Sequence, residues 1–273
     1  MPRWVVYTDL DGTLLDHYDY GWQAAVPALT ALAVRDVPVV PVTSKTLAEM
    51  QVLRTRLAPN TPFVVENGGA VAVPTGYFGA DRGTAVAGGL YVERLGPGYA
   101  DIVDVLIALR AEGFAFTGFA DMDATAVAAC TGLVQADAER ARQRLCSEPL
   151  LWQGSDEALA EFRVRLANHG LTTRRGGRFL HVMGQCDKGD ALRRLQAHFG
   201  GETAPISLAL GDSPNDFDML VAADRGVLVA RPDGSHAAPP DPPGLVHAPG
   251  IGPAGWNAAV LDWLAEIFDN GND

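Results

Sequence analysis

The sequence predicts an α/β protein whose parallel-sheet core is interrupted by an inserted α+β domain. Three observations predict it. Short apolar runs such as Trp4–Tyr7 and Ile206–Leu210 end in acidic, hydroxyl or glycine residues. From Trp4 to Val65 such runs alternate with stretches of helical apolar spacing, the pattern of βαβ units. That alternation breaks between about Ala85 and Val182 and resumes afterwards. The expected division is a core of 1–84 and 183–273 around an insert of 85–182.

Taken in order, Trp4-Val5-Val6-Tyr7 is too short for a helix and rich in β-formers, so it reads as a buried strand. It runs into Asp9-Leu10-Asp11-Gly12-Thr13. Trp22 to Val34 carries Val26, Leu29 and Leu32 at helical spacing, with Pro27 near its start. Val37 to Val42 is a second strand, ending in Thr43-Ser44. Thr46 and Glu49 have capping-box spacing, and Met50, Leu53 and Leu57 share a face, so a helix follows. Phe63-Val64-Val65 is a third strand, ending in Glu66-Asn67-Gly68-Gly69. Open parallel sheets gather ligands beyond the carboxyl ends of their strands. Asp9, Thr43, Glu66 and Asp212 all follow such ends, so a single site is expected.

Within the insert, Ile102, Val105, Leu106 and Leu109 form a helical stripe, and Phe114–Phe116 a short strand. Asp121–Cys130 and Ala136–Leu145 read as helices, and the charges Glu139, Arg140, Arg142 and Arg144 as a solvated face. Leu150–Trp152, Leu171–Thr173 and Arg178–Val182 read as strands, with a helix over Glu157–Asn168. Beyond the insert come a helix at Lys188–Phe199 and a strand at Ile206–Leu210 running into Gly211-Asp212-Ser213-Pro214-Asn215-Asp216. A helix at Phe217–Ala222, a strand at Gly226–Ala230, a Pro- and Gly-rich loop over Arg231–Gly255 and an amphipathic helix at Asn257–Phe268 follow.

The 273 residues carry 21 Lys and Arg against 33 Asp and Glu, a formal net charge of −12. That balance disfavours nucleic acid and anionic membranes, and points to a small-molecule partner met by local positive charge. Cys130, Cys146 and Cys186 lack metal-site spacing, and their odd number suits free thiols in a cytoplasmic protein. The first apolar run is brief and passes straight into Asp9, so no signal peptide is expected. Pro and Gly in the uncharged stretch Pro242–Leu261 argue for a loop entering a helix rather than a membrane span.

Two carboxylates two residues apart at a strand end can face the same side, where they repel unless a cation lies between them. Mg²⁺ favours such oxygen ligands, and a carboxylate can itself attack phosphorus. Taken alone, Asp9 and Asp11 fit this chemistry and equally fit a strand cap opening a turn.

Together with Thr43-Ser44, Asp187-Lys188-Gly189 and Gly211-Asp212 to Asp216, however, the stretch resembles the haloacid dehalogenase superfamily of phosphotransferases over the whole chain. That resemblance implies a Rossmann-like core with a cap inserted where 85–182 lies. It implies Asp9 as nucleophile and Asp11 as acid and base, with Thr43, Ser44, Lys188 and Asn215 on the phosphate. It also implies Mg²⁺ at Asp9, the Asp11 carbonyl and Asp212, with Asp216 supporting the metal shell.

Finer motifs resemble the mannosyl-3-phosphoglycerate phosphatase family: Asp9–Tyr20, Thr43-Ser44-Lys45-Thr46, Glu66-Asn67-Gly68-Gly69, Thr131-Gly132-Leu133, Gly176–His181 and Val229–Pro232. Related sugar phosphatases read Thr-Gly-Arg where this chain has Thr-Ser-Lys. The resemblance implies substrate contacts at Lys45, Glu66, Asn67, Arg178 and His181. A glycerate carboxylate would call for cations such as Lys45 and Arg178, and sugar hydroxyls for acceptors such as Glu66. Each also fits a plainer part: Lys45 a solvated first-turn residue, Glu66 and Asn67 a turn, His181 a core histidine. Other sugar phosphates (sucrose or trehalose phosphate), a phosphomutase and a non-catalytic binder remain alternatives, the last disfavoured by the intact Asp9.

Overall fold

The computed structural model describes residues 2–57, 60–176, 178–200, 204–237 and 244–269. Gly177 of the expected cap motif, and 238–243 of the expected long loop, lie outside the described residues. β1 (Trp4–Thr8) leads through a 3-10 turn at Gln23–Ala25 to α1 (Val26–Val34), which has Pro27 in its first turn. β2 (Val39–Pro41) and α2 (Leu47–Leu57) follow. Thr46 and Glu49 cap α2 reciprocally: the Thr46 N–H donates to Glu49 Oε2 at 2.8 Å, the Glu49 N–H to Thr46 Oγ1 at 3.2 Å. Next come β3 (Phe63–Val65), β4 (Ala70–Pro74), β5 (Thr84–Val86), β6 (Leu90–Arg94) and α3 (Tyr99–Ala111). β7 (Phe116–Gly118), α4 (Ala124–Thr131), α5 (Gln135–Arg142), β8 (Ser147–Trp152) and α6 (Asp156–Ala167) continue the chain. β9 (Leu171–Gly176), β10 (Phe179–Gly184), α7 (Lys188–Phe199) and β11 (Ile206–Gly211) precede α8 (Phe217–Ala222), β12 (Arg225–Ala230), β13 (Val246–Ile251) and α9 (Gly252–Asp269).

The chain forms two compact units, Met1–Thr43, Thr61–Phe63 and Lys188–Asp273 in one, Ser44–Asn60 and Val64–Asp187 in the other. The first holds a parallel sheet of order β13-β12-β11-β1-β2, with Trp4 to Thr8 in register with Ile206 to Leu210. Parallel strands are covered on both faces, which is why β1 and β11 read as unbroken apolar runs rather than alternating ones. Val5, Val6 and Tyr7 are fully buried, as are Leu208, Ala209 and Leu210. From α9, the buried Trp256 donates through Nε1 to Thr8 Oγ1 at 2.9 Å, pinning the helix to the end of β1.

The second unit carries two sheets, β3-β4-β6-β5 and β7-β8-β10-β9. In the latter every pairing is antiparallel, and one face buries Phe116, Leu150, Leu180 and Val182 against Ile102 and Leu106 of α3 and Phe162 and Leu166 of α6. The expected parallel place for β3 is corrected here: it heads a separate sheet. A three-residue apolar run is equally compatible with either sheet, and its neighbour is the Ala-containing β4, which the sequence pattern did not announce. A second correction falls in the expected loop 231–255, where Val246–Ile251 forms β13 beside β12. Pro249 and Gly250 mask it as a strand, but at the edge of a sheet a missing N–H is tolerated. No helix among the described residues is long and apolar enough to cross a membrane.

Candidate active site

Asp9 follows β1, and its N–H donates to Leu210 O at 2.9 Å, seating it at the carboxyl ends of β1 and β11. The chain then turns tightly, with the Gly12 N–H donating to Leu15 O at 2.9 Å and the Leu15 N–H to Leu10 O at 2.8 Å. Gly12 has φ +84°, and a Cβ there would lie 3.0 Å from Asp212 Oδ2, so both conformation and space call for glycine. Asp11 stands on this turn, partly buried and bridged to Leu15. The Thr13 hydroxyl donates to Asp212 Oδ1 at 3.3 Å. The Val42 N–H donates to Thr8 O at 2.8 Å, so the buried Thr43 comes from the same end of the sheet.

Lys188 opens α7 with no exposed surface, and its Nζ donates to Asp9 Oδ1 and Asp216 Oδ1, each at 2.6 Å. Asp216 Oδ2 accepts from the Asp212 and Ser213 N–H groups at 3.1 and 3.0 Å. Both Asp216 oxygens are thus engaged, and the residue fixes Lys188 and the 212–213 backbone. Asn215 is partly buried, its Oδ1 accepting from the Ser213 hydroxyl at 2.7 Å.

Burial pushes the Asp9 carboxyl well above the usual carboxylate range; Lys188 opposes this, while Asp216 and Asp212 add to it. Burial, then Asp216, raises Asp212 to about 6 against the pull of Lys188. For Lys188, burial alone would lower the ammonium, but Asp216 and Asp9 outweigh it and hold it above the ordinary lysine value. Among the described residues, Asp9, Asp212 and Asp216 offer carboxylate oxygens within 4.8 Å of one another. Three carboxylates against one ammonium leave two negative charges when all are ionised, the deficit a divalent cation cancels. The donors are oxygens only, a set that could hold a hard cation such as Mg²⁺.

Residues 152–234 match the family described as haloacid dehalogenase-like hydrolase. The glucosyl-3-phosphoglycerate/mannosyl-3-phosphoglycerate phosphatase of Methanococcoides burtonii is 38% identical over 265 residues, covering 96% of this chain and 97% of that protein. The enzyme of the same name from Persephonella marina is 33% identical over 267 residues, covering 96% and 98%. The chain belongs to this phosphatase family. It is a phosphoric monoester hydrolase. Solved structures share its fold: a Streptococcus mutans protein (TM-score 0.66, 18% identity, 96% and 98% covered) and the sucrose-phosphatase of Synechocystis (TM-score 0.61, 17% identity, 97% and 98% covered).

The remaining expected site residues of this phosphatase lie in its second unit. Glu66 and Asn67, just past β3, take left-handed backbone angles of φ +53° and +58°, a costly conformation outside glycine. Glu66 is fully buried and accepts from the Leu145 N–H at 2.7 Å, the Cys146 N–H at 3.0 Å and the Ser147 hydroxyl at 2.6 Å. In this structure its carboxylate therefore ties 145–147 in place rather than standing open to a sugar hydroxyl. The Lys45 carbonyl accepts from the Glu66 N–H at 3.0 Å, and Lys45 itself is half-buried.

Arg144, read from sequence as part of a solvated face, is buried instead. Its Nε donates to Ser147 O at 2.9 Å and lies 3.6 Å from Glu66 Oε2, and its Nη2 reaches the Ser44 carbonyl at 3.4 Å. The helix ends at Arg142, so Arg144 escapes the periodicity that would place it outside. His181 on β10 is buried, and its Nδ1 has no partner among the described residues. Burial, and secondarily Arg144, lowers its pKa to about 3, so the ring is neutral near pH 7. Arg178 is exposed and donates to Cys130 O at 2.7 Å.

Proposed function

We propose that this phosphatase hydrolyses mannosyl-3-phosphoglycerate or glucosyl-3-phosphoglycerate to the glycosyl-glycerate and phosphate. The observation that supports this most strongly is the 38% identity, across nearly the whole chain, to an enzyme named for those two substrates. On this reading an Asp9 oxygen attacks phosphorus in line, forming an aspartyl-phosphate as the sugar-bearing alkoxide departs. The Asp11 carboxyl protonates that alkoxide, and its carboxylate then takes a proton from the water that attacks the phosphoaspartate, regenerating Asp9. Lys188 and Thr43 hold phosphoryl oxygens while charge develops on them, with Ser44 and Asn215 alongside. When bound, Mg²⁺ neutralises carboxylate and phosphate charge, which also keeps Asp9 ionised despite its burial. In the same reading, residues 85–182 are the cap that selects the substrate. Lys45 and Arg178 meet the glycerate carboxylate, and Asn67 and His181 meet sugar hydroxyls.

The test is phosphate release from the two glycosyl phosphoglycerates beside sucrose phosphate and mannose 6-phosphate, with and without chelator. A kcat/KM preference for the phosphoglycerates of ten-fold or more, abolished by chelation, is expected. A preference for the uncharged sugar phosphates would transfer the assignment to a general sugar phosphatase. Acid quench during turnover should leave labelled phosphate on the chain, and none on Asp9→Asn.

A further inference from the structure

The second unit contains a cavity of about 520 Å³ that the mechanism above does not use. The four consecutive residues Leu171, Thr172, Thr173 and Arg174 of β9 all line it, together with Arg163 of α6 and Cys186 and Asp187 beyond β10. Successive side chains of a strand point to opposite faces of its sheet. A cavity reached by four in a row therefore runs along the free edge of that strand, and β9 is the terminal strand of its sheet. Backbone N–H groups on such an edge have no partner strand and stand ready for an acceptor. Arg163, Thr172, Thr173 and Arg174 all line the cavity, beside the Asp187 carboxylate. Arg163 is steered there by its Nε, which donates to Thr173 Oγ1 at 3.1 Å. Arg174 Nη2 lies 3.3 Å from Asp187 Oδ2, with both side chains partly exposed.

In a chain of net charge −12, a cavity lined by two arginines and two threonines against one carboxylate, Asp187, favours negative charge. We propose that this cavity is a second anion site, which takes a small phosphate-bearing molecule between Arg163 and Arg174. The size suits a compact metabolite or free phosphate rather than a macromolecule. An incoming dianion competes with Asp187 for Arg174, and Asp187 is the residue immediately before Lys188. Occupancy therefore draws Arg174 away from Asp187 just before α7, whose first residue holds Asp9. The site lowers kcat when filled. This last step rests on the role given above to Lys188; the binding itself does not.

The experiment is equilibrium dialysis of the full chain against inorganic phosphate and, separately, 3-phosphoglycerate, in chelator. Without a divalent cation the carboxylate-rich core site repels anions, so the proposal expects one equivalent bound in wild type. Arg163→Gln, an exposed substitution, should weaken that binding about ten-fold, and Arg174→Gln by at least as much, with circular dichroism unchanged. Tighter binding of 3-phosphoglycerate than of phosphate would assign the site to an ester, the reverse to the free ion. In the turnover assay with metal, phosphate should lower kcat as well as raise KM in wild type, and only raise KM in Arg163→Gln. No binding in chelator, or binding that both variants leave intact, overturns the site. Purely competitive inhibition in wild type overturns its link to Lys188. Neither result depends on which ester the phosphatase prefers.

Discussion

Each unit buries a cation against carboxylates, and the two arrangements differ in one respect that separates chemistry from architecture. In the first unit Lys188 serves Asp9 and Asp216 with Asp212 close by, so negative charge is in surplus. In the second, Arg144 faces Glu66 with the buried Glu148 also within its electrostatic reach, and hydrogen-bond donors complete both carboxylates: the Leu145 and Cys146 N–H groups and the Ser147 hydroxyl on Glu66, the Tyr99 hydroxyl and Ala120 N–H on Glu148. Buried carboxylates whose oxygens are taken up by backbone and hydroxyl donors hold their surroundings in one geometry. Three carboxylates converging within 4.8 Å, as in the first unit, are disposed to bind a cation or to react. The same ingredients therefore give a structural strut in one place and, on the proposed mechanism, a reactive centre in the other.

The sharpest way to break this comparison is to remove the reactive carboxylate. Asp9→Asn is nearly isosteric and should cut kcat by at least about a thousand-fold while leaving the fold intact, since on the proposed mechanism it deletes the nucleophile and little volume. Retention of most of the wild-type rate on a good substrate would end the covalent mechanism. Next in size is removal of the cations. Lys188→Met and Arg144→Met each strand buried carboxylate and should each cost about 3–5 kcal/mol in urea unfolding. They should part company in turnover. Lys188→Met should be inactive even when folded, whereas folded Arg144→Met should keep kcat within about ten-fold, because its charge pair touches no reacting atom. Equal inactivation of both, at equal folded fraction, would erase the distinction.

A third test uses protons. Without a cation, Asp212 titrates near 6 in the folded chain, against about 3.9 in an unfolded one. Between those values the folded state holds the extra proton, so this residue makes the metal-free protein less stable as pH rises through the window. A cation needs the ionised form, so Mg²⁺ affinity should climb about ten-fold per pH unit below 6 and flatten above it. The measurement is the Mg²⁺-induced rise in Tm between about pH 4.5 and 7.5. A rise independent of pH would remove Asp212 from the metal shell.

The two regions also differ in how far the sequence discloses them. Asp9, Asp11, Lys188, Asp212 and Asp216 lie in short contiguous motifs just past strands or at a helix start, and local pattern alone brings them to one end of a sheet. The structure sets Asp9, Lys188, Asp212 and Asp216 side by side. Nothing local announces the partnership of Arg144 with Glu66, which depends on two turns far apart in the chain. Arg144 follows four charged residues of α5, Asp137, Glu139, Arg140 and Arg142, so periodicity points it outward. Glu66 was open to the opposite error, a strand-end acid that the fold uses internally. Strands β4 and β5 escaped because Ala and Pro dilute the alternation that marks a half-buried strand. β13 escaped because its pairing comes from β12 and not from its own residues.

His181 gives the smallest effect and the finest discrimination. It is the complement of Glu66: a buried polar group in the same unit, but with Nδ1 unsatisfied among the described residues. An unpaired buried nitrogen costs about 1–3 kcal/mol, so His181→Leu should leave stability unchanged or raise it slightly. If Nδ1 is kept open for a substrate hydroxyl, the same change should raise KM by about three- to ten-fold and leave kcat nearly untouched, as loss of uniform binding does. The ring titrates near 3, so the wild-type profile of kcat/KM should show no inflection from His181 between about pH 5 and 8. Steady-state kinetics on a glycosyl phosphoglycerate and on a simple sugar phosphate decide the matter. A stability gain with no change in KM on either would make His181 a packing residue and leave sugar recognition to other groups of the second unit.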